Sequence, residues 1–318
     1  MSTAAVEIVD QQPYSVHRAR VGAVQRLSPS FARITFVGDA LAGFGNPGAT
    51  FDQRVKIIFP PVSGVLPPVV GGADWYRSWL AVPEEERGAM RTYSIRDIRI
   101  DDDGATAVDV DFVLHLVPGQ TGPASTWASE TTPGDEVLIV GPRRGRLDGG
   151  GIEYLPGGAG QVLLAGDETA APAIARILAD APDDLCGAAY IEVPEAADAQ
   201  PIDAPDGVAV HWLPRDGVAP GEKLHPAVLG HLGEAPGDVE PVAEPRTGEE
   251  LLWETPRFSR LGEQLDSAGA PVDERYFWIA GESRVVTGLR RRLVKDLGIP
   301  RAQVAFMGYW REGVAMKG

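Results

Sequence analysis

Cysteine is almost absent: Cys186 is the only one in 318 residues. A single thiol can make no internal disulfide, hold no iron–sulfur cluster and build no thiolate zinc site, so redox chemistry in this chain must use an organic cofactor. No apolar run approaches the roughly 18 residues of a membrane span. The opening residues, MSTAAVEIVDQQPYSVHRAR, lack the basic segment and apolar stretch of a secretion signal. The expected location is the cytoplasm, without membrane insertion. Basic residues are scarce as well: 29 Lys and Arg stand against 45 Asp and Glu, a net charge of −16. That balance argues against nucleic acid, whose phosphate backbone needs a broad basic surface. The arginines that exist are clustered, at Arg143, Arg144 and Arg146 and at Arg284, Arg290, Arg291 and Arg292. In an acidic protein such clusters suit small anionic ligands; solvated helix or strand faces are the alternative.

Two styles of sequence follow one another. From about residue 15 to 147, short β-rich runs (ARITFVG, DQRVKIIFP, MRTYSIRDI, AVDVDFVLHLV, DEVLIVG) alternate with turns, the pattern of an antiparallel β-barrel. A Pro- and Gly-rich excursion over residues 60–89 interrupts them, with a short helix expected at WYRSWLAV. DDDG at 101–104 resembles the start of a calcium loop but lacks the later ligands, so a hairpin turn is expected there and no metal site. From 156 to 318, strands (GQVLLAG, GAAYIEVP, GVAVHWLP, RYFWIAG) alternate with helical patterns, including the amphipathic RVVTGLRRRLVKDLG. Such alternation implies an α/β domain with a parallel sheet. Residues of about 230–262, acidic and proline-rich at first, look like a partly mobile inserted loop with a short docked segment.

Three stretches carry candidate chemistry. In GAMRTYSIRD a strand would place Arg91 and Tyr93 on one face and Thr92 and Ser94 on the other. In HLVPGQTGPASTWASE, His115 ends a strand, Gly122 permits close approach, and Ala124 to Trp127 open a helix whose first amides are unpaired. In AGDETAAPAI, Gly166 precedes a helix opened by Thr169, with Pro172 in its first turn, and that N-terminus suits a phosphate. Each alone is equally an ordinary strand, helix start or βα turn, and the G-x-G-x-x-G dinucleotide fingerprint is missing from its place after the strand.

Taken in order, RTYS, HLVPGQTGPASTWA, AGDETAAPAI, WIAGESRVVTGLRRRL and GYWREG resemble the siderophore-interacting protein family, the FAD-containing ferric-siderophore reductases related to ferredoxin reductases. The resemblance spans nearly the whole chain and implies an N-terminal FAD-binding barrel followed by an NAD(P)H-binding α/β domain. It implies that Arg91 pairs with the flavin phosphate, that Tyr93 packs on the ring or ribose, and that Ser94 lies near flavin N5, with Thr92 in the same segment. His115, Gly122, Pro123, Ala124, Ser125 and Trp127 would line the rest of FAD. Asp167, Thr169, Gly281, Glu282, Arg284 and Arg290 would form the nucleotide site, with Arg284 and Arg290 toward a 2′-phosphate. Lys56, Arg143 or Arg144, and Arg311 would attract an anionic ferric siderophore. No side chain is expected to do the redox step, which belongs to the flavin. NADPH, NADH or ferredoxin as donor stays open, and so do two rival functions: a general NAD(P)H:flavin or quinone reductase, and a siderophore-binding flavoprotein without turnover.

Overall fold

The computed structural model describes residues 12–69, 71–116, 121–235, 252–256 and 275–314. The N-terminal half is an antiparallel sheet of seven strands: β1 Tyr14–Arg26, β2 Phe31–Val37, β3 Arg54–Phe59, β4 Ala89–Ser94, β5 Asp97–Ile100, β6 Thr106–Val113 and β7 Glu136–Pro142. Their order is β4-β3-β7-β1-β2-β6-β5. Alternate residues of these strands, among them Ile34, Phe36, Val55, Ile57, Val110 and Phe112, point into one core, as the period of two requires. Helix α1, Trp75–Ala81, lies in the long excursion and covers the outer face through Trp79 on Ile58, Met90 and Leu138. Helix α2, Pro123–Glu130, packs on the core through Ala124 and Ala128. The DDDG stretch is the expected hairpin turn: Asp101 and Ala105 close it between β5 and β6.

The second half is a mixed sheet made of β8 Gln161–Gly166, β9 Cys186–Val193, β10 Val208–Pro214, β11 Trp253–Glu254, β12 Arg275–Glu282 and β13 Val304–Trp310, ordered β10-β9-β8-β12-β13-β11. All neighbours are parallel except β11, which runs antiparallel to β13. The purely parallel sheet expected from sequence is corrected by this edge strand, the docked part of the insert; the rest of the inserted loop expected at 230–262 lies mostly outside the described residues. Helix α3, Ala171–Ala179, covers one face, and α4, Leu224–His231, and α5, Ser283–Arg290, cover the other. A wider π-helical turn, Arg291–Asp296, continues α5. The chain leaves β8 toward β9 on one side and returns to β12 on the other, so the carboxyl ends of β8 and β12 flank the topological switch point where ligands bind in such sheets.

The two sheets are joined by carboxylates that cross the seam. Asp52, fully buried just before β3, accepts from the backbone N–H of Tyr154 at 3.0 Å and Glu153 at 3.1 Å, and from Trp278 Nε1 at 2.9 Å. Asp180, after α3, accepts from the N–H of Thr50 and Phe51 at 2.7 and 2.8 Å. Asp198 accepts from Ser30 N–H and the Ser28 hydroxyl. Phe51 takes a positive φ of 47°, strained for a residue with a Cβ, and packs against the α/β core beside Tyr154. Removing the Asp52 carboxylate strands three buried donors. Asp52→Ala should therefore cost about 3 kcal/mol, visible as a lower midpoint in urea unfolding; an unchanged midpoint would deny Asp52 this role.

Candidate functional site

β3 and β4 form one two-stranded ladder in which Lys56 opposes Thr92 and Arg54 opposes Ser94. The alternation expected for RTYS holds. Tyr93 faces the barrel core, its ring 4.4 Å from Phe112 and 6.3 Å from Phe59. Thr92 faces the other way and accepts a hydrogen bond from Lys56 Nζ at 2.7 Å. Ser94 is buried beside the phenol of Tyr309, which makes no well-aligned hydrogen bond. Burial lowers the pKa of Arg91, and its one described hydrogen bond goes to the carbonyl of Met90. Burial, then the charge of Arg54, lowers Lys56. Among the described residues neither cation has a carboxylate partner, whereas Arg33, Arg54, Arg99, Arg176, Arg215 and Arg290 all do.

Beyond β6, Gly122 begins α2, with Pro123 in its first turn; both are exposed, and a Cβ at Gly122 would meet nothing. No side chain caps this helix, so amides of its first turn have no side-chain acceptor. Ala124 is turned into the core, Ser125 donates to the carbonyl of Val113, and Trp127 stacks on Phe36. The Trp127 ring, half-buried, belongs to the same aromatic cluster as Tyr93, both lying on Phe59 and Phe112. Residues 117–120 of the motif lie outside the described residues.

The third region is the carboxyl edge of the mixed sheet. Asp167 is buried, and its carboxylate is fully used: Oδ1 accepts from Thr169 N–H at 2.9 Å and the Thr169 hydroxyl at 2.5 Å, Oδ2 from Glu282 N–H at 2.6 Å and Trp310 Nε1 at 2.8 Å. Burial, then the neighbouring charge of Glu168, push its pKa up to about 6. Gly281 has φ +138°, and a Cβ there would lie 2.5 Å from Asp167 Oδ2, so only glycine allows this approach. Gly166 is needed for packing instead, its place filled by Ala170 and the carbonyl of Ala280. Glu282 caps α5 through the N–H groups of Arg284 and Val285 and also accepts from Glu312 N–H.

Several expectations change accordingly. Asp167, Thr169 and Glu282 bond to one another's segments, and both oxygens of Asp167 are spent in doing so. Helix α3 begins at Ala171, because Thr169 turns back to Asp167. Arg290 is buried and paired with both oxygens of Glu254 at 2.8 and 3.3 Å; it secures β11 and has no face left for a 2′-phosphate. Arg144 donates to the carbonyls of Phe44, Gly45 and Gly104 and to Thr106, so it fastens barrel loops. Arg143 donates to Gln12 O, Arg284 is exposed in the first turn of α5, and Arg311 follows β13.

Sequence reasoning missed the link between the halves. His115 Nε2 lies 3.1 Å from Glu168 Oε1, Arg215 holds both oxygens of Glu168 at 2.6 and 2.9 Å, and the His115 ring is 5.5 Å from that of Trp310. Against burial, which alone would raise it, the bonds from His115 and Arg215 hold Glu168 down at about 2. A depressed carboxylate stabilises the fold above its ordinary pKa of 4.5, and that stability is lost as pH falls through about 2. Glu168→Gln should cost about 3 kcal/mol at pH 7 and flatten the loss of stability over that acid range in pH-dependent urea melts; an unaltered acid limb would refute the assignment.

Comparison with known proteins agrees with this geometry. A family model described as siderophore-interacting FAD-binding domain matches residues 20–146, and one described as siderophore-interacting protein matches 159–313. Ferric vibriobactin reductase of Vibrio cholerae is 25% identical over 90% of this chain and 86% of its own. An NADPH-dependent ferric-chelate reductase of Escherichia coli is 27% identical over 90% and 89%. The crystal structure of a siderophore utilization protein from T. fusca superposes with a TM-score of 0.63 at 28% identity, covering 95% of both chains. Solved FAD/NAD-binding reductases of lower identity share the fold alone. With an FAD-binding antiparallel sheet domain, a mixed-sheet α/β domain and both family models matched in order, this chain belongs to the siderophore-interacting protein family.

Proposed function

We propose that the protein is a flavin-dependent ferric-siderophore reductase, taking electrons from NADPH or NADH and delivering them to Fe(III) in an anionic siderophore complex. The observation that carries this reading is the pair of desolvated cations without carboxylate partners, Arg91 and Lys56, on opposite faces of one strand ladder. In a chain of net charge −16, a half-buried cation left without a counter-ion is an anion site. The residues fit FAD. Arg91 offers a guanidinium to a phosphate, the side-chain-free start of α2 offers amides to a second one, and Tyr93 offers an aromatic ring. Bound there, FAD would supply the exchange between a two-electron donor and one-electron acceptors. One hydride donor balances the reduction of two ferric ions, releasing NAD(P)⁺ and a proton.

Lys56, with Arg143 and Arg311 as further candidates, would draw the ferric complex to the ladder. Iron leaves because catecholate and hydroxamate oxygens are hard ligands that hold Fe(II) less well than Fe(III). The metal is substrate, and no group of side chains fit to hold a metal ion occurs among the described residues. The donor is assigned to the carboxyl edge of β8 and β12, with Arg284, exposed in the first turn of α5, as the candidate for a 2′-phosphate. NADPH is the donor in the name of the E. coli relative; anaerobic mixing with NADPH, NADH and reduced ferredoxin in turn identifies the donor here. No helix among the described residues is long and apolar enough to cross a membrane.

Arg91→Ala should weaken FAD binding by about 1.5–3 kcal/mol, the size of a charge-assisted contact, measured by flavin titration of the apoprotein; an unchanged affinity removes Arg91 from the site. Lys56→Glu should slow oxidation of the pre-reduced protein by an anionic ferric siderophore about tenfold at low salt. It should flatten the salt dependence, which is set by screening over about 8–10 Å, and spare reduction by the nucleotide. In stopped flow, wild-type rates and salt slopes in that variant would favour a general flavin reductase instead.

A further inference from the structure

We propose that Asp167 is a positioning residue: its ionised carboxylate locks the indole of Trp310 and the Gly281–Glu282 backbone into one surface, against which the nicotinamide is presented to the flavin. The inference rests on the reading of this edge as the donor site. Asp167 directly follows β8, Glu282 ends β12 and Trp310 ends β13, and Asp167 Oδ2 takes the Glu282 N–H and the Trp310 Nε1–H together. One oxygen therefore fixes the ends of two strands relative to the third, at the switch point of the sheet. The other oxygen is anchored by both donors of Thr169, so the carboxylate cannot swing. Four donors meet two oxygens, and every lone pair of an ionised carboxylate is used.

A purely structural tie would not need a charge here. Burial and the adjacent Glu168 disfavour the ionised form, and an acid whose pKa is raised in the folded state loses stability as pH rises through that value. Three of the four groups around Asp167 are N–H donors that cannot accept a proton, and only the Thr169 hydroxyl can turn from donor to acceptor. A protonated Asp167 can donate to that hydroxyl, but Oδ2 then accepts as a neutral carbonyl oxygen, and the bonds to Glu282 and Trp310, the ones that span strands, lose their charge assistance. Trp310 is then held less tightly beside His115, whose ring is 5.5 Å away on the barrel side. Hydride transfer needs reacting atoms within about 3–3.5 Å, so a loosened wall slows it.

The titratable and charged groups around this point are Glu168 next in sequence, Arg215 after β10, His115 after β6, and Glu282 and Glu312 on the two segments that Asp167 and α5 bring together. Glu168 stays ionised to about pH 2, with Arg215 bound to it. His115 is the other titratable ring facing Trp310, and the experiment must separate the two.

The first measurement needs no activity. The protein with bound FAD is labelled with ¹⁵N-tryptophan, and the indole resonance of Trp310 is assigned by its loss in Trp310→Phe. That resonance should shift with pH between 5 and 7 in the wild type and stay still in Asp167→Asn, while His115→Gln leaves the shift in place. The second is the rate of flavin reduction by the nucleotide donor in stopped flow. It should be about tenfold lower at pH 5 than at pH 8, as an acid titrating one unit above the lower pH requires. In Asp167→Asn it should vary less than about twofold over the same range. A resonance that does not titrate, or whose titration survives Asp167→Asn and vanishes in His115→Gln, overturns the proposal. A resonance that titrates as expected with an acid limb still present in Asp167→Asn shows a tie without a positioning role and overturns it too. Absence of flavin reduction by any nucleotide in the wild type would instead remove the donor-site reading on which the inference rests.

Discussion

Asp52 leaves the barrel and ends inside the α/β domain, where its carboxylate accepts two backbone N–H groups and an indole; Asp180 and Asp198 make the reverse crossing. These reciprocal bonds set how the two sheets face one another. The ladder carrying Arg91 and Ser94 belongs to one sheet and the edge carrying Gly281 and Trp310 to the other, so no geometry at the site exists until the seam is formed. Backbone N–H donors suit this task because their positions are fixed by strands and turns and carry no rotamer freedom. The strained Phe51 between Thr50 and Asp52 is a local cost of the same arrangement, offset by the insertion of its ring into the neighbouring core.

Much of the fold was legible because apolar residues recur with periods of two or near 3.6, and β2, β3, β4, β6, β7, β8, β9, β10 and β12 stand out on that ground. β1 was not. It is long, but only His17, Ala19 and Val21 turn into the core, Val16 packs on the outer face, and the rest of it is charged, polar or exposed, so it lacks an apolar stripe. α4 carries its apolar residues around a Pro and a Gly, and β11 is two residues long in an acidic stretch; neither has a pattern to find. At the site, RTYS was readable through strand alternation. The Asp167–Glu282–Trp310 bonds and the His115–Glu168–Arg215 link were not, since they join residues more than forty positions apart and no local rule pairs them. Arg290 illustrates the converse error: its place among three consecutive arginines suggested an anion site, and burial beside Glu254 decided otherwise.

Charge is distributed with the same economy. The chain is strongly acidic, and most of its buried arginines are neutralised by a named carboxylate. Two cations left uncompensated on the two faces of a single ladder therefore dominate the local field, although they are a small share of the total. One face looks into the space beside the aromatic packing of Phe59, Tyr93 and Phe112, the other toward solvent across Thr92. A strand one residue thick separates them, so a cofactor anion and a substrate anion can each be attracted without competing for the same cation.

The short strand of the insert has a bearing on solubility. Without β11, the apolar β13 (VAFMGYW) would be the outermost strand of the sheet, its free N–H and C=O groups a template for another chain. Two residues suffice to occupy its middle, since Trp253 and Glu254 pair with Met307 and Phe306, the carbonyl of Leu252 takes Gly308 N–H, and Glu254 is gripped by Arg290 and Arg301. Trp253 also lies under the guanidinium of Arg54 and alongside Tyr309. The peg thus blocks edge-to-edge association of copies of this chain along the middle of β13.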